Sequence, residues 1–234
     1  MKDKLKERKP YYLIIARKTI FWLVSIMLGI AILLLFLKKD ANQGRIIFTM
    51  VQLIAMLFVL RIPKFIKIKF HFDVPNLLDF FLISFAFSGL ILGDVFNFYE
   101  KIPYWDSILH TFSGVLIAYI GFIIIKYLDK EYTIPLSVSP LFMCLIVVSV
   151  ELDIGEVWVI GDYTVDDIFH TNNQQYMETT RGTLYNQTDV PLQGHEALAD
   201  TMKDLMLDLG GAVAVAIVEH KNLERKQKKA LLNK

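Results

Sequence analysis

Acidic residues recur at helical spacing in the second half of this sequence, together with one histidine. Asp106 and His110 are four residues apart, and Asp200, Asp204 and Asp208 follow one another at the same interval. Residues four apart lie on one face of an α-helix, one turn above the other. Carboxylate oxygens and an imidazole nitrogen are ligands for a hard or borderline divalent cation such as Mg²⁺, Mn²⁺ or Zn²⁺. The spacing therefore predicts two helix faces that could hold a metal ion between them.

A third acidic face follows from the stretch 149–167, which continues an apolar run and then fills with carboxylates. At helical periodicity one stripe of this stretch contains Glu151, Gly155, Trp158, Asp162 and Asp166. A charged residue at the centre of a membrane helix costs about 2.5–3.5 kcal/mol, against about 0.3–0.6 gained per large aliphatic residue. These acids therefore need protons, a cation or a polar cavity, which makes the stripe a hypothesis about function.

The three acidic faces together predict a metal site at one depth in the membrane. We predict that the metal is held by His110, Asp162, Asp204 and Asp208, and that Asp106 orients His110 for catalysis. Further polar members of the site are predicted to be Asp94, Glu151, Asp166 and Asp200.

Structural explanations compete with each of these assignments. Asp106 could cap a helix N-terminus, and His110 could be a buried histidine bonded to a neighbouring helix. Asp200 and Asp204 could favour a helix N-terminus and pair with Lys203.

Two further acids of the stretch 149–167 do not fit the predicted site. Asp153 and Glu156 lie roughly opposite the Glu151 stripe, so one helix cannot point both sets at one pocket.

The elements that carry these faces are predicted to be membrane-spanning helices. Of the 234 residues 54% are hydrophobic, and they occur in long runs rather than at amphipathic spacing. Runs of this length are typical of an all-α, polytopic transmembrane helical bundle. The net charge of +1 gives no indication of nucleic-acid binding. The partner implied by this composition is the lipid bilayer, with a lipid or small molecule as ligand.

We predict a single membrane domain over residues 1–234 with about six helices and a polar segment at 170–196 on the outer side. The predicted helices are residues 19–37, 46–62, 77–98, 105–125, 141–160 and 197–219. Most lysines and arginines fall in the two tails and in alternate links, so the positive-inside rule places both termini in the cytoplasm. The acidic faces then lie in the outer half of the bilayer or just outside it.

Several motifs of the chain resemble the YjdF-like family of integral membrane proteins. They are YWDSILHTFSG at residues 104–114, Gly155-x-x-Trp158, TNNQ at 171–174 and DTMKDL at 200–205. The resemblance covers residues 77–219 and implies a multi-pass protein of a prokaryotic cytoplasmic membrane. It also marks as motif positions Asp106, His110, Asp200, Asp204 and Asp208.

The chain departs from that family's pattern on the fifth predicted helix. In the family, the tryptophan is followed directly by Glu and by a second acid three residues later. Here Val159 follows Trp158, while Asp162 holds the second place.

Three functions are compatible with the sequence. The first is a metal-dependent enzyme that hydrolyses or transfers a lipid or lipid-linked phosphate at the outer face. The second is a proton- or cation-coupled transporter that uses Glu151 near the midplane. The third is a non-catalytic membrane component whose acids stabilise helix packing or dock a partner.

Overall fold

Helices make up nearly all of the part of the chain that the structure describes. The computed structural model describes residues 9–37, 43–131, 139–169 and 195–232, and no strand occurs among them. The predicted all-α membrane bundle is confirmed. Most of the predicted outer polar segment, residues 170–194, lies outside the described residues.

The elements begin and end as follows: α1 Tyr11–Leu37, α2 Gln43–Val59, α3 Ile62–Phe70, α4 Asn76–Ala86 with a π-helical continuation Phe87–Val95, α5 Phe98–Lys101, α6 Trp105–Glu131, α7 Pro140–Phe169 and α8 His195–Leu232. Several helices extend past the predicted spans. At 38 residues, α8 is about 57 Å long, whereas the hydrocarbon core of a bilayer is about 30 Å thick.

Within the described ranges, three helical segments are long and apolar enough to cross a membrane. They are Tyr11–Leu37, Asn76–Val95 and Trp105–Leu128. A fourth is added if α2 and α3, which meet at a 44° bend, count as one span. The helices α7 and α8 are also long but carry charged residues along much of their length.

Residues Met1–Phe98 form one compact unit, and its apolar core contains one buried acid. Asp79 on α4 is fully buried and is bonded by Lys9 Nζ at 2.5 Å and by Arg17 of α1. Arg17 also donates to the main-chain oxygen of Leu60, where α2 ends. The ion pairs therefore compensate the burial of Asp79 and tie α1 to the break after α2.

The break between α2 and α3 falls before a proline rather than at it. Pro63, which directly follows the predicted helix 46–62, is buried in the first turn of α3. A first-turn proline is tolerated because its missing N–H would have no partner within the helix.

Residues Tyr99–Lys234 form the second unit, built from α6, α7 and α8. The residue numbers of contacting pairs increase together on α6 and α8, from His110 with Asp208 to Lys126 with Glu219. These two helices are therefore parallel. On α7 the order is reversed, because Cys144 bonds the carbonyl of Ala216 whereas Gly155 lies beside Asp208. The start of α6, the end of α7 and the start of α8 therefore meet at one end of the unit.

Candidate functional site

The imidazole of His110 lies at the centre of a carboxylate cluster where α6 and α8 meet. Its Nδ1 is 2.8 Å from Asp208 Oδ2, which is hydrogen-bond distance. Its Nε2 lies 3.6 Å from Asp106 Oδ1 and 3.9 Å from Asp204 Oδ2. The side chains of His110 and Asp208 are only 11% and 6% exposed, so solvent does little to separate these charges.

The hydrogen bond to Asp208 determines which imidazole nitrogen is available to a ligand. An ionised carboxylate only accepts hydrogen bonds, so Nδ1 carries the proton. In neutral His110 the lone pair is then on Nε2, which faces Asp106 and Asp204. The sequence predicted that Asp106 orients the ring; the hydrogen bond is made instead by Asp208.

Ser113 holds the other oxygen of Asp208, the carboxylate that orients His110. Its hydroxyl bonds Asp208 Oδ1 and also lies 2.7 Å from the main-chain oxygen of His110. Ser113 is one turn beyond His110 on α6, and the sequence gives no sign of this bond across to α8. Asp208 is therefore held by partners on both of its oxygens.

Asp204 contrasts with Asp208, because one of its oxygens is buried without a partner. Asp204 is 7% exposed, and its Oδ1 makes no hydrogen bond among the described residues. Burying a carboxylate oxygen without compensation is unfavourable. One potential ligand atom from each of Asp106, His110 and Asp204 lies within 4.8 Å of the others.

Close contact between the backbones of α6 and α8 produces this geometry. A Cβ added to Gly114 would lie 2.0 Å from the main-chain oxygen of Asp208. A Cβ added to Gly211 would lie 2.4 Å from the main-chain oxygen of Thr111. Only glycine permits this approach, which is the usual role of small residues between membrane helices.

The helix α7 contributes acids on the face that it turns toward α6 and α8. Asp162 is half-buried and close enough to interact electrostatically with His110, Asp106 and Asp166. Asp166 is fully buried. Glu151, 11 residues before Asp162, is also fully buried and interacts electrostatically with Asp208. The acidic stripe predicted on this helix therefore faces the protein interior.

Some residues singled out in the sequence lie away from the cluster. Trp158, assigned to the stripe of α7, is 56% exposed, so the buried face runs beside it. Asp153 and Glu156 are exposed. Asp94 belongs to the other unit, in its π-helix. Asp200, by contrast, adjoins the cluster: it interacts electrostatically with Asp106 and Asp204 and is paired with Lys203 at 3.4 Å.

These features define an all-α membrane protein with a buried carboxylate and histidine cluster. Residues 20–225 match a family described as predicted membrane protein (DUF2238), and the chain belongs to that family. An uncharacterized protein of Thermotoga maritima is 29% identical over 152 residues. That match covers 64% of this chain and 66% of the relative, so this chain spans slightly less than two thirds of the relative's length. No solved structure matches the chain.

Proposed function

We propose that this protein binds a divalent cation through Asp106, His110 Nε2 and Asp204, with Asp208 orienting His110. The observation that carries the proposal is the buried carboxylate of Asp204: its Oδ1 has no partner among the described residues, and its Oδ2 lies 3.9 Å from His110 Nε2 in a group of three potential ligand residues. A bound cation would supply the compensation that this carboxylate lacks.

The ligand set and the surrounding residues fit such an ion. Two carboxylates and one imidazole suit Mn²⁺ or Zn²⁺, and Mg²⁺ if water completes the coordination shell. The hydrogen bond from Nδ1 to Asp208 is the arrangement that metal-binding histidines usually have, because it fixes the tautomer and the ring orientation. A divalent cation would also offset the repulsion among Asp106, Asp204 and Asp208, which crowd around one imidazole.

The reaction that we propose is hydrolysis or transfer of a lipid or lipid-linked phosphate at the membrane surface. A divalent cation at this site would neutralise phosphate charge and lower the pKa of a bound water. The chain's own contribution is to keep a proton on Nδ1 and to fix the direction of Nε2 through the hydrogen bond to Asp208. The cluster lies at the ends of three helices, where a headgroup could reach it.

The membrane setting of this proposal follows from the sequence. We propose a multi-pass protein of the cytoplasmic membrane with about six spans, both termini inside and the cluster on the outer side. The motif resemblance to YjdF-like proteins supports the same arrangement.

Metal content and thermal stability of the purified protein test the proposal. Wild type and Asp153→Asn, whose side chain is exposed and outside the cluster, should bind one divalent ion and be stabilised by it. Asp204→Asn should lose both the ion and the stabilisation while remaining folded. A wild type that binds no divalent ion, or an Asp204→Asn variant that binds as tightly as Asp153→Asn, would contradict the proposal.

A second candidate function is proton- or cation-coupled transport, and the observation that favours it is the buried carboxyl of Glu151. Transport predicts flux of protons or cations into proteoliposomes that stops in Glu151→Gln and persists in Glu156→Gln. If neither metal binding nor flux is found, the acids have a non-catalytic role in packing or docking.

A further inference from the structure

Glu151 is a fully buried acid of the second unit, and neither of its oxygens has a partner among the described residues. The residue is 0% exposed, and both Oε1 and Oε2 lack hydrogen bonds within the described part of the chain. The proposed metal site does not use it. A buried carboxylate ion without donors is strongly disfavoured, whereas the neutral acid is much less costly to bury.

The surroundings of Glu151 offer it no positive charge. Among the described residues, the charged group within electrostatic range is Asp208 on α8, and α6 contributes none. Asp208 is itself acidic and disfavours a second negative charge nearby. A metal ion at Glu151 would need several more oxygen or nitrogen ligands, so a proton is the cation that this position fits.

The acids of the cluster lie on one side of Glu151 along the helices. Gly155, one turn along α7, packs beside α8, since a Cβ there would lie 3.7 Å from Asp208 Oδ2. Asp162, at the end that holds the cluster, is 11 residues from Glu151, about 16 Å along the helix.

Toward the opposite end of the helices, Glu151 is enclosed by apolar packing. Val147, one turn before Glu151, is 3% exposed and belongs to a cluster of buried apolar residues. A Cβ on Gly121 would lie 3.1 Å from Val147 Cγ1, so α6 and α7 are in close contact here. The other buried members of this cluster are Ala118, Phe122, Cys144, Ala212 and Ala216.

We infer that Glu151 is a proton-binding site, and that the apolar cluster around Val147 closes it toward the end of the helices opposite Asp106, His110 and Asp204. The inference does not depend on a metal in the proposed site.

Infrared spectroscopy of the reconstituted protein tests the first part of this inference. A protonated carboxyl has a C=O stretching band separate from that of a carboxylate. Near neutral pH this band should be present in wild type, reduced in Glu151→Gln and unchanged in Glu156→Gln, the exposed glutamate of the same helix. An identical band in wild type and Glu151→Gln would overturn the assignment of the proton to Glu151.

Exchange into D₂O, which shifts the same band, tests the closure. Val147→Ala opens the apolar side, so the Glu151 band should shift at least about ten times faster than in wild type. Val150→Ala, the same truncation at an exposed position of α7, should leave the rate unchanged. An unchanged rate in Val147→Ala, or an equal rise in Val150→Ala, would overturn the closure by the apolar cluster.

Discussion

Two adjacent glycines of α8 should respond in opposite ways to the same substitution. A Cβ on Gly211 would lie 2.4 Å from the main-chain oxygen of Thr111 and 2.9 Å from the main-chain nitrogen of Val115. Main-chain atoms cannot rotate aside, so α6 and α8 must separate by about 1 Å to reach the 3.4 Å at which ordinary contact begins. Gly210, on the exposed side, has nothing within 4 Å.

The magnitudes follow from this geometry. Overpacking typically costs about 1–3 kcal/mol, and we expect the upper half of that range for Gly211→Ala because the contact is with main chain. Gly210→Ala should be neutral or stabilising by up to about 1 kcal/mol, since alanine favours the helix. Lengthening the 2.8 Å bond between His110 and Asp208 by about 1 Å takes it beyond hydrogen-bond range. The affinity for the metal should then fall by about 10–100-fold in Gly211→Ala and stay unchanged in Gly210→Ala.

Denaturant unfolding in detergent and calorimetric titration with Mn²⁺ measure both effects on the two variants. The reasoning is refuted if Gly211→Ala unfolds and binds metal like Gly210→Ala, because the close backbone approach would then not support the site.

Three further predictions concern ion pairs and metal. Asp79→Asn should cost about 1–3 kcal/mol in the free energy of unfolding, because it removes the charged partner of Arg17, whose side chain is 20% exposed. Asp73→Asn, which breaks an exposed pair with Lys67, should cost at most about 1 kcal/mol in the same assay. Asp208→Asn should weaken divalent-metal binding by about 10–100-fold in calorimetry without abolishing it, since it removes an orienting partner rather than a ligand. Chelator treatment should lower the unfolding midpoint of the metal-loaded wild type but not that of Asp204→Asn, with about 2.7 kcal/mol lost when metal had been present at 100 times its dissociation constant.

The all-α fold class was predictable from the sequence, because a long apolar run in a bilayer must satisfy its backbone hydrogen bonds internally, as a helix does. Helix ends were less predictable. No glycine or proline follows Gly211, so nothing in the sequence stops α8 at the membrane surface, and it continues to Leu232. The buried pairing of Asp79 was not found, because Lys9 and Arg17 lie more than 60 positions away and no local spacing connects them.

For the candidate site, the i, i+4 rule correctly placed Asp106 and His110 on one face of α6. The rule could not show which carboxylate of another helix accepts the hydrogen bond from the imidazole. That choice depends on how closely the backbones of α6 and α8 approach at Gly114 and Gly211. The same limit applies to Trp158, which periodicity placed in the acidic stripe but which is 56% exposed.

The most direct test of the central proposal is pulsed electron paramagnetic resonance of the Mn²⁺-loaded protein. If Nε2 of His110 binds the ion, the spectrum should show coupling to an imidazole nitrogen. That coupling should disappear in His110→Gln and persist in His220→Gln, a histidine at the far end of α8. Bound Mn²⁺ without nitrogen coupling, or coupling that survives in His110→Gln, would contradict the proposed metal site.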